Sequence, residues 1–276
     1  MSDSILFEVD GGVAHVTLNR PTRLNAINDE AAYRWRDVAA EIAERADVSA
    51  VLLDAAGPAF CAGGDVAAMA GFGEGGSMIE TLAHVIHEGH HTFATMPKPI
   101  VAAVQGAVAG GGLGFMLTAD YVVAGEAASF ASKYADIGLT PDCGVSTLLP
   151  EAIGTRRALE LTLTSRRLDA REALDWGLVN EVTTDAALTA RARQVAAAWV
   201  DGAAAAFGQA KRLVRAQTVE PRSYREALSD EAATIGAAFE TPQATERIAA
   251  FAARSSRRQT ASAPSESAIA QAEETR

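Results

Sequence analysis

Cysteine is scarce: Cys61 and Cys143 are the only two in 276 residues, which excludes a disulfide framework and leaves each the reading of a small buried apolar side chain. Positive charge is also in deficit, with 24 Lys and Arg against 35 Asp and Glu and a formal net charge of −11. Non-specific nucleic-acid binding needs clustered cations to displace counterions from phosphate, so that class is excluded, while local cations still permit a small anionic ligand. No stretch reaches the roughly 18 uninterrupted apolar residues of a membrane span, and the start lacks a basic segment followed by an apolar one. The expectation is a cytoplasmic protein with no membrane partner. Three sequence signatures are missing as well. A dinucleotide fingerprint starting at Gly110 or Gly112 would need glycine where Phe115 or Leu117 stands, and neither Gly-x-x-x-x-Gly-Lys nor Gly-x-Ser-x-Gly occurs.

What is present is an ordinary globular composition, long enough to bury a large core. Residues 13–18 alternate and are β-branched, predicting a strand after a Gly11-Gly12 turn. Asn28 or Asp29 suits the cap of a helix whose apolar residues Ala32, Trp35, Val38, Ala39 and Ile42 recur at helical spacing. Residues 50–54 read as a buried strand, residues 71–77 as a mobile glycine-rich loop, residues 78–95 as a helix and residues 100–104 as the next strand. The alternation continues to about Asn180, which implies β-α-β crossovers and a mainly parallel sheet of the α/β class. From residue 185 the pattern is purely helical. The expected organisation is a core over residues 1–184, a helical region over 185–253 and a disordered tail over 254–276.

Two glycine-centred turns follow successive strands: Ala62-Gly63-Gly64-Asp65, and the run Ala109-Gly110-Gly111-Gly112-Leu113-Gly114 that opens a helix. Bare N–H groups at such a place suit an anion or a developing oxyanion. Equivalent ends of adjacent parallel strands share one edge of the sheet, so one donor from each turn can converge on a single oxygen. Tight turns and close packing explain glycines equally well. No Asp or Glu stands at 113–117, so any acid or base must come from elsewhere. His87-Glu88-Gly89-His90-His91 matches His-Glu-x-x-His, yet a glycine inside the helix and no obvious third ligand argue against zinc, and no metal is expected. Asp142 lies in Pro141-Asp-Cys-Gly144, which is good turn chemistry in itself and equally a place for a working carboxylate.

Residues 20–27 (Arg-Pro-Thr-Arg-Leu-Asn-Ala-Ile), 60–65, 97–106, 109–114 and 176–180 (Trp-Gly-Leu-Val-Asn), in this order, resemble the crotonase, or enoyl-CoA hydratase/isomerase, superfamily over about residues 5–258. The resemblance implies a ββα spiral core, a helical C-terminal trimerisation region, and a homotrimer or a dimer of trimers. It implies an acyl-CoA thioester substrate whose carbonyl oxygen accepts hydrogen bonds from the N–H groups of Gly64 and Gly111. Coenzyme A would lie near Arg23, Asn25 and Ala26 and against Ala62, Gly63 and Asp65, with Arg23 near a phosphate. No other cofactor is implied, because coenzyme A enters as part of the substrate. Met69, Phe72 and Met78 suit a flexible acyl-pocket wall.

The departures are informative. By position, Gly114 and Tyr134 stand where hydratases of the superfamily carry two water-activating glutamates. Asp142 falls where some relatives keep their working carboxylate, and residues 134–144 resemble an isomerase branch. The leading expectation is therefore double-bond or ring isomerisation, with Gly64, Gly111 and Asp142 as catalytic groups. A dehalogenase branch supplies one alternative, with Asp142 as nucleophile and His87 as base; Tyr134 is a further catalytic candidate. A hydratase lacking its usual glutamates and a non-catalytic acyl-CoA-binding protein are the others.

Overall fold

The computed structural model describes residues 3–73 and 75–262. Gly11 and Gly12, at φ +54° and +83°, turn the chain between β1 (Ile5–Asp10) and β2 (Val13–Leu18), which pair antiparallel. Positive φ at both central residues is what a two-residue hairpin requires. β1 lies outside the strands expected from sequence, because Leu6 on its exposed face blurs the alternation. In β2 the alternation is plain, with Ala14, Val16 and Leu18 buried.

Asn28 caps α1 (Asp29–Glu44), its side chain accepting from Ala31 N at 3.1 Å. The buried stripe of α1 is the expected one, with Trp35, Val38, Ala39 and Ile42 fully enclosed. There follow β3 (Ala50–Ala55), the single turn α2 (Val66–Met69), α3 (Gly76–Thr95) and β4 (Ile100–Val104). Gly89 sits mid-helix in α3 for a packing reason: a Cβ there would lie 2.5 Å from Trp35 Cδ1 of α1.

After β4 the chain leaves the sheet at Gly106, where φ is +56° and a Cβ would meet Pro58 O at 2.0 Å. It runs on through β5 (Ala107–Ala109), α4 (Gly111–Leu117), β6 (Tyr121–Gly125), β7 (Ser129–Ala131), α5 (Val145–Ile153), α6 (Thr155–Leu163), β8 (Leu168–Asp169), α7 (Ala170–Trp176), β9 (Glu181–Thr183), α8 (Leu188–Asp201) and α9 (Ala204–Val219). The main sheet has the order β1-β2-β3-β4-β6-β9 and is parallel from β2 onward; β5, β7 and β8 make a second, small sheet. The mainly parallel α/β architecture agrees with the sequence.

The chain forms two compact units, the first ending at Ser223 and the second beginning at Tyr224. The first unit takes in α8 and α9 as well as the strands. The reason is packing: Leu188, Ala192, Val195 and Ala196 of α8 share a core with Leu52, Val101, Ala103 and Val123 of the main sheet. The second unit holds α10 (Tyr224–Phe239) and α11 (Pro242–Ser262). Residues 254–262, expected to be disordered, continue α11 as helix; residues 263–276 lie outside the described residues.

Candidate active site

Backbone pairing brings the two glycine turns together. Cys61 bridges Val108 of β5, with Cys61 N donating to Ala107 O at 3.1 Å and Ala109 N to Cys61 O at 2.9 Å. This register lays residues 62–64 against the start of α4. Contact is close: a Cβ on Gly63 would lie 2.9 Å from Ala109 O and 3.3 Å from Gly111 N, and Gly63 holds φ +100°. Gly110, at φ +52°, turns the chain into α4.

Peptide planarity then aims both donors. Gly63 O accepts from Ile27 N at 2.8 Å, so the Gly64 N–H on the far side of the same trans peptide points away from Ile27. Gly110 O accepts from Leu113 N at 3.0 Å, so the Gly111 N–H points away from α4. Among the described residues neither N–H has a protein acceptor. Gly63, Gly64, Gly110 and Gly111 line one cavity of about 470 Å³.

Asp29, Asp65, Asp136 and Asp142 line the cavity, and the carboxylate that stands against Gly111 is Asp142. A Cβ on Gly111 would meet Cys143 Sγ at 3.2 Å, Tyr134 Oη at 3.8 Å and Asp142 Oδ1 at 4.0 Å. Tyr134 donates to Asp142 Oδ1 at 2.6 Å. Burial, with Cys143 and Asp142 beside it, pushes the Tyr134 phenol far up, so it remains a neutral donor. Burial likewise raises the Cys143 thiol, and pushes Cys61 up to about 12, so neither sulfur is a thiolate. A side chain at position 114 is excluded sterically: a Cβ on Gly114 would lie 2.1 Å from Cys143 O and 2.5 Å from Cys143 Cβ. The chain that carries Asp142 fills that space.

The remaining residues named from sequence divide. Ala62 and Asp65 line the cavity. Asp65 caps α2, accepting from Ala68 N at 3.2 Å and from Arg20 Nη2 at 2.9 Å; burial opposes its charge, but these bonds outweigh it and hold the carboxyl below the ordinary range. Asn25 is buried at φ +54° and fully engaged by protein, accepting from Arg20 N at 2.7 Å and donating to Ala56 O and Ala59 O at 2.8 Å each. It holds the turn and has no group left for a ligand. Ala26 O accepts from Arg20, and Arg23 is exposed beside that turn.

His87 does not line the cavity; its Nε2 accepts from Cys143 N at 3.2 Å. His91 is exposed, so the two histidines of His-Glu-x-x-His do not converge, and among the described residues no group of three His, Cys, Asp or Glu could hold a metal ion. Met69 covers Gly64 and lines the cavity, whereas Met78 is half exposed and does not. The side chain of Phe72 lies outside the described ones. The place of Cys143 in the cavity wall was not foreseen from sequence, nor was Lys133, which meets Asp136, another lining residue, at 2.5 Å. Lys133 holds φ +61°, which no propensity announces.

A parallel α/β core and two outward-facing glycine N–H groups beside the Asp142 carboxylate in a mostly apolar cavity define an enzyme of the crotonase-fold class. The chain belongs to the enoyl-CoA hydratase/isomerase family, whose profile matches residues 8–258. It is 34% identical over 198 residues to a 1,2-epoxyphenylacetyl-CoA isomerase of Escherichia coli, covering 71% of this chain and 76% of the relative. A carnitinyl-CoA dehydratase of Citrobacter koseri is 33% identical over 229 residues, covering 80% and 84%. Among solved structures, an enoyl-CoA hydratase of Mycobacterium smegmatis superposes with a TM-score of 0.85 at 28% identity, covering 92% of this chain and 97% of that one. Among the described residues no helix is long and apolar enough to cross a membrane.

Proposed function

We propose that this enzyme isomerises an enoyl-CoA, moving a proton between carbons of the acyl chain without a cofactor other than the coenzyme A of its substrate. The observation that carries the reading is the Asp142 carboxylate, which of the four lining the cavity is the one that stands against Gly111, while Asp65 is held by Arg20 and Asp136 by Lys133. The thioester oxygen accepts from Gly64 N–H and Gly111 N–H, bonds that strengthen as the carbonyl becomes an enolate and so favour the transition state over the ground state. Asp142 takes the α-proton, and the same oxygen returns it at the γ-carbon as the double bond shifts. Tyr134 donates to Oδ1 and leaves Oδ2 for the proton.

The relatives' names include an isomerase, a dehydratase and a hydratase, so they do not choose among these reactions. The packing at Gly114 favours isomerisation, since water addition there lacks its usual carboxylate. His87 Nε2 is engaged with a backbone N–H, which disfavours its use as the base of a covalent aspartyl mechanism. Arg23, exposed and near Asp65 of the Ala62–Asp65 turn, is the cation we assign to a coenzyme A phosphate. A homotrimer or dimer of trimers agrees with the apolar surface of the second unit, where Ile235, Phe239 and Phe251 are exposed.

The test is conversion of a 3-enoyl-CoA to the 2-enoyl-CoA with no added cofactor. Asp142→Ala should lose at least ~10²-fold in rate, a general acid/base contribution. An unchanged rate in that variant removes the role of Asp142.

A further inference from the structure

The backbone that presents Asp142 does not hold its shape unaided. Cys143 and Gly144 are consecutive left-handed residues, at φ +49° and +72°, and a residue with a Cβ resists that conformation. The Cys143 N–H donates to His87 Nε2 at 3.2 Å, 56 residues back on α3. Among the described residues it has no other acceptor. Here one side-chain lone pair fixes the peptide that follows the working carboxylate.

We infer that His87 is a positioning residue: its neutral imidazole pins the Cys143 peptide and so keeps the Asp142 carboxylate opposite Gly111. This rests on the reading of Asp142 as the proton carrier. Accepting at Nε2 places the ring proton on Nδ1, and a protonated imidazole has no lone pair for the bond. The ionisable neighbours of the ring are Cys143 from the loop, whose N–H it accepts, and His84, Glu88 and the buried His90 on α3 itself. From α1, Arg36 reaches Glu88 at 4.0 Å. His84 stands edge-on to His87 at 6.4 Å between ring centroids.

Three variants separate this role from its competitors, assayed on a 3-enoyl-CoA. His87→Leu removes the acceptor, and its kcat should fall about 10- to 100-fold with KM little changed, the effect of a displaced catalytic group. His87→Gln keeps an amide oxygen that accepts from Cys143 N–H, so it should restore most of the rate although it cannot carry a proton. Equal loss in both variants makes the imidazole a proton carrier and overturns the inference, as does wild-type rate in His87→Leu. Asp142→Asn is the control for the underlying reading: full activity there removes the proton-carrier assignment whatever His87 does. Hydrogen exchange of the Cys143 amide gives a second measurement that does not need the leucine variant to fold. Corrected for intrinsic exchange, this amide should be protected in the wild type and in His87→Gln. Exchange at the free-chain rate in the folded wild type contradicts the bond.

Discussion

Gly114 shows how a residue can be informative in sequence and explained only in space. The absent glutamate was legible in the chain, since position 114 offers no side chain. The steric exclusion was not, because the space is taken by the Cys143 carbonyl, 2.1 Å from where a Cβ would stand and 29 positions away along the chain. Gly114→Ala should therefore cost ~1–3 kcal/mol, the usual range for overpacking a tight core, as read by urea unfolding. It should also slow isomerisation, because relief of the clash displaces the Asp142 loop. Gly64→Ala is a contrast. Its φ is unremarkable and a Cβ meets only the flexible end of Met69, 2.3 Å from Cε, so stability should stay near wild type while the N–H donor is kept. Equal destabilisation by the two substitutions would contradict this packing. The glycines at 63 and 110 were legible as turns from composition, and their positive φ values agree. The partner of His87 was not legible, since a helix histidine accepting from a distant backbone N–H leaves no local pattern.

Elements were readable where periodicity is local. β2, β4 and the capped start of α1 stand as the alternation and the Asn28 signal predict. The two- and three-residue strands β5, β7 and β8 escaped, being too short to show a period, yet β5 sets the register that joins the two glycine turns. α9 carries a feature that composition cannot reveal: Lys211, buried, donates to Phe93 O at 2.6 Å and Lys98 O at 2.9 Å and lies 3.2 Å from Asp120. Burial brings its pKa down to about 8 from the ordinary 10.5, against the opposing pull of Asp120. Between those values the unfolded chain holds a proton that the folded chain has released, so the contribution of Lys211 to stability rises with pH across that window. Below pH 8 the full penalty for a buried charge is present. Unfolding free energy measured from about pH 8 to 10.5 should climb in the wild type, and Lys211→Met should flatten the slope. An identical slope in the two proteins would contradict the assignment.

The molecule as a whole follows its sequence in fold class. Alternating strand and helix patterns dictated a parallel α/β core, while the boundary at Ser223 depends on α8 packing against the sheet, which an Ala-rich helix does not advertise. The second unit exposes Ile235 and Phe239 on α10 and Phe251 on α11. In the proposed assembly these side chains meet another copy, so Ile235→Asp combined with Phe239→Asp should yield a monomer by light scattering. An unchanged mass would place the interface elsewhere. In the proposed reaction these parts serve one chemical event, the passage of a proton through Asp142 at an enolate held by Gly64 and Gly111. Incubation of a 3-enoyl-CoA in deuterated water, followed by mass spectrometry, observes that event: the wild type should isomerise the substrate and exchange α- and γ-hydrogen with solvent, and Asp142→Asn should do neither. Hydration in place of isomerisation, or exchange in the variant at the wild-type rate, would contradict it.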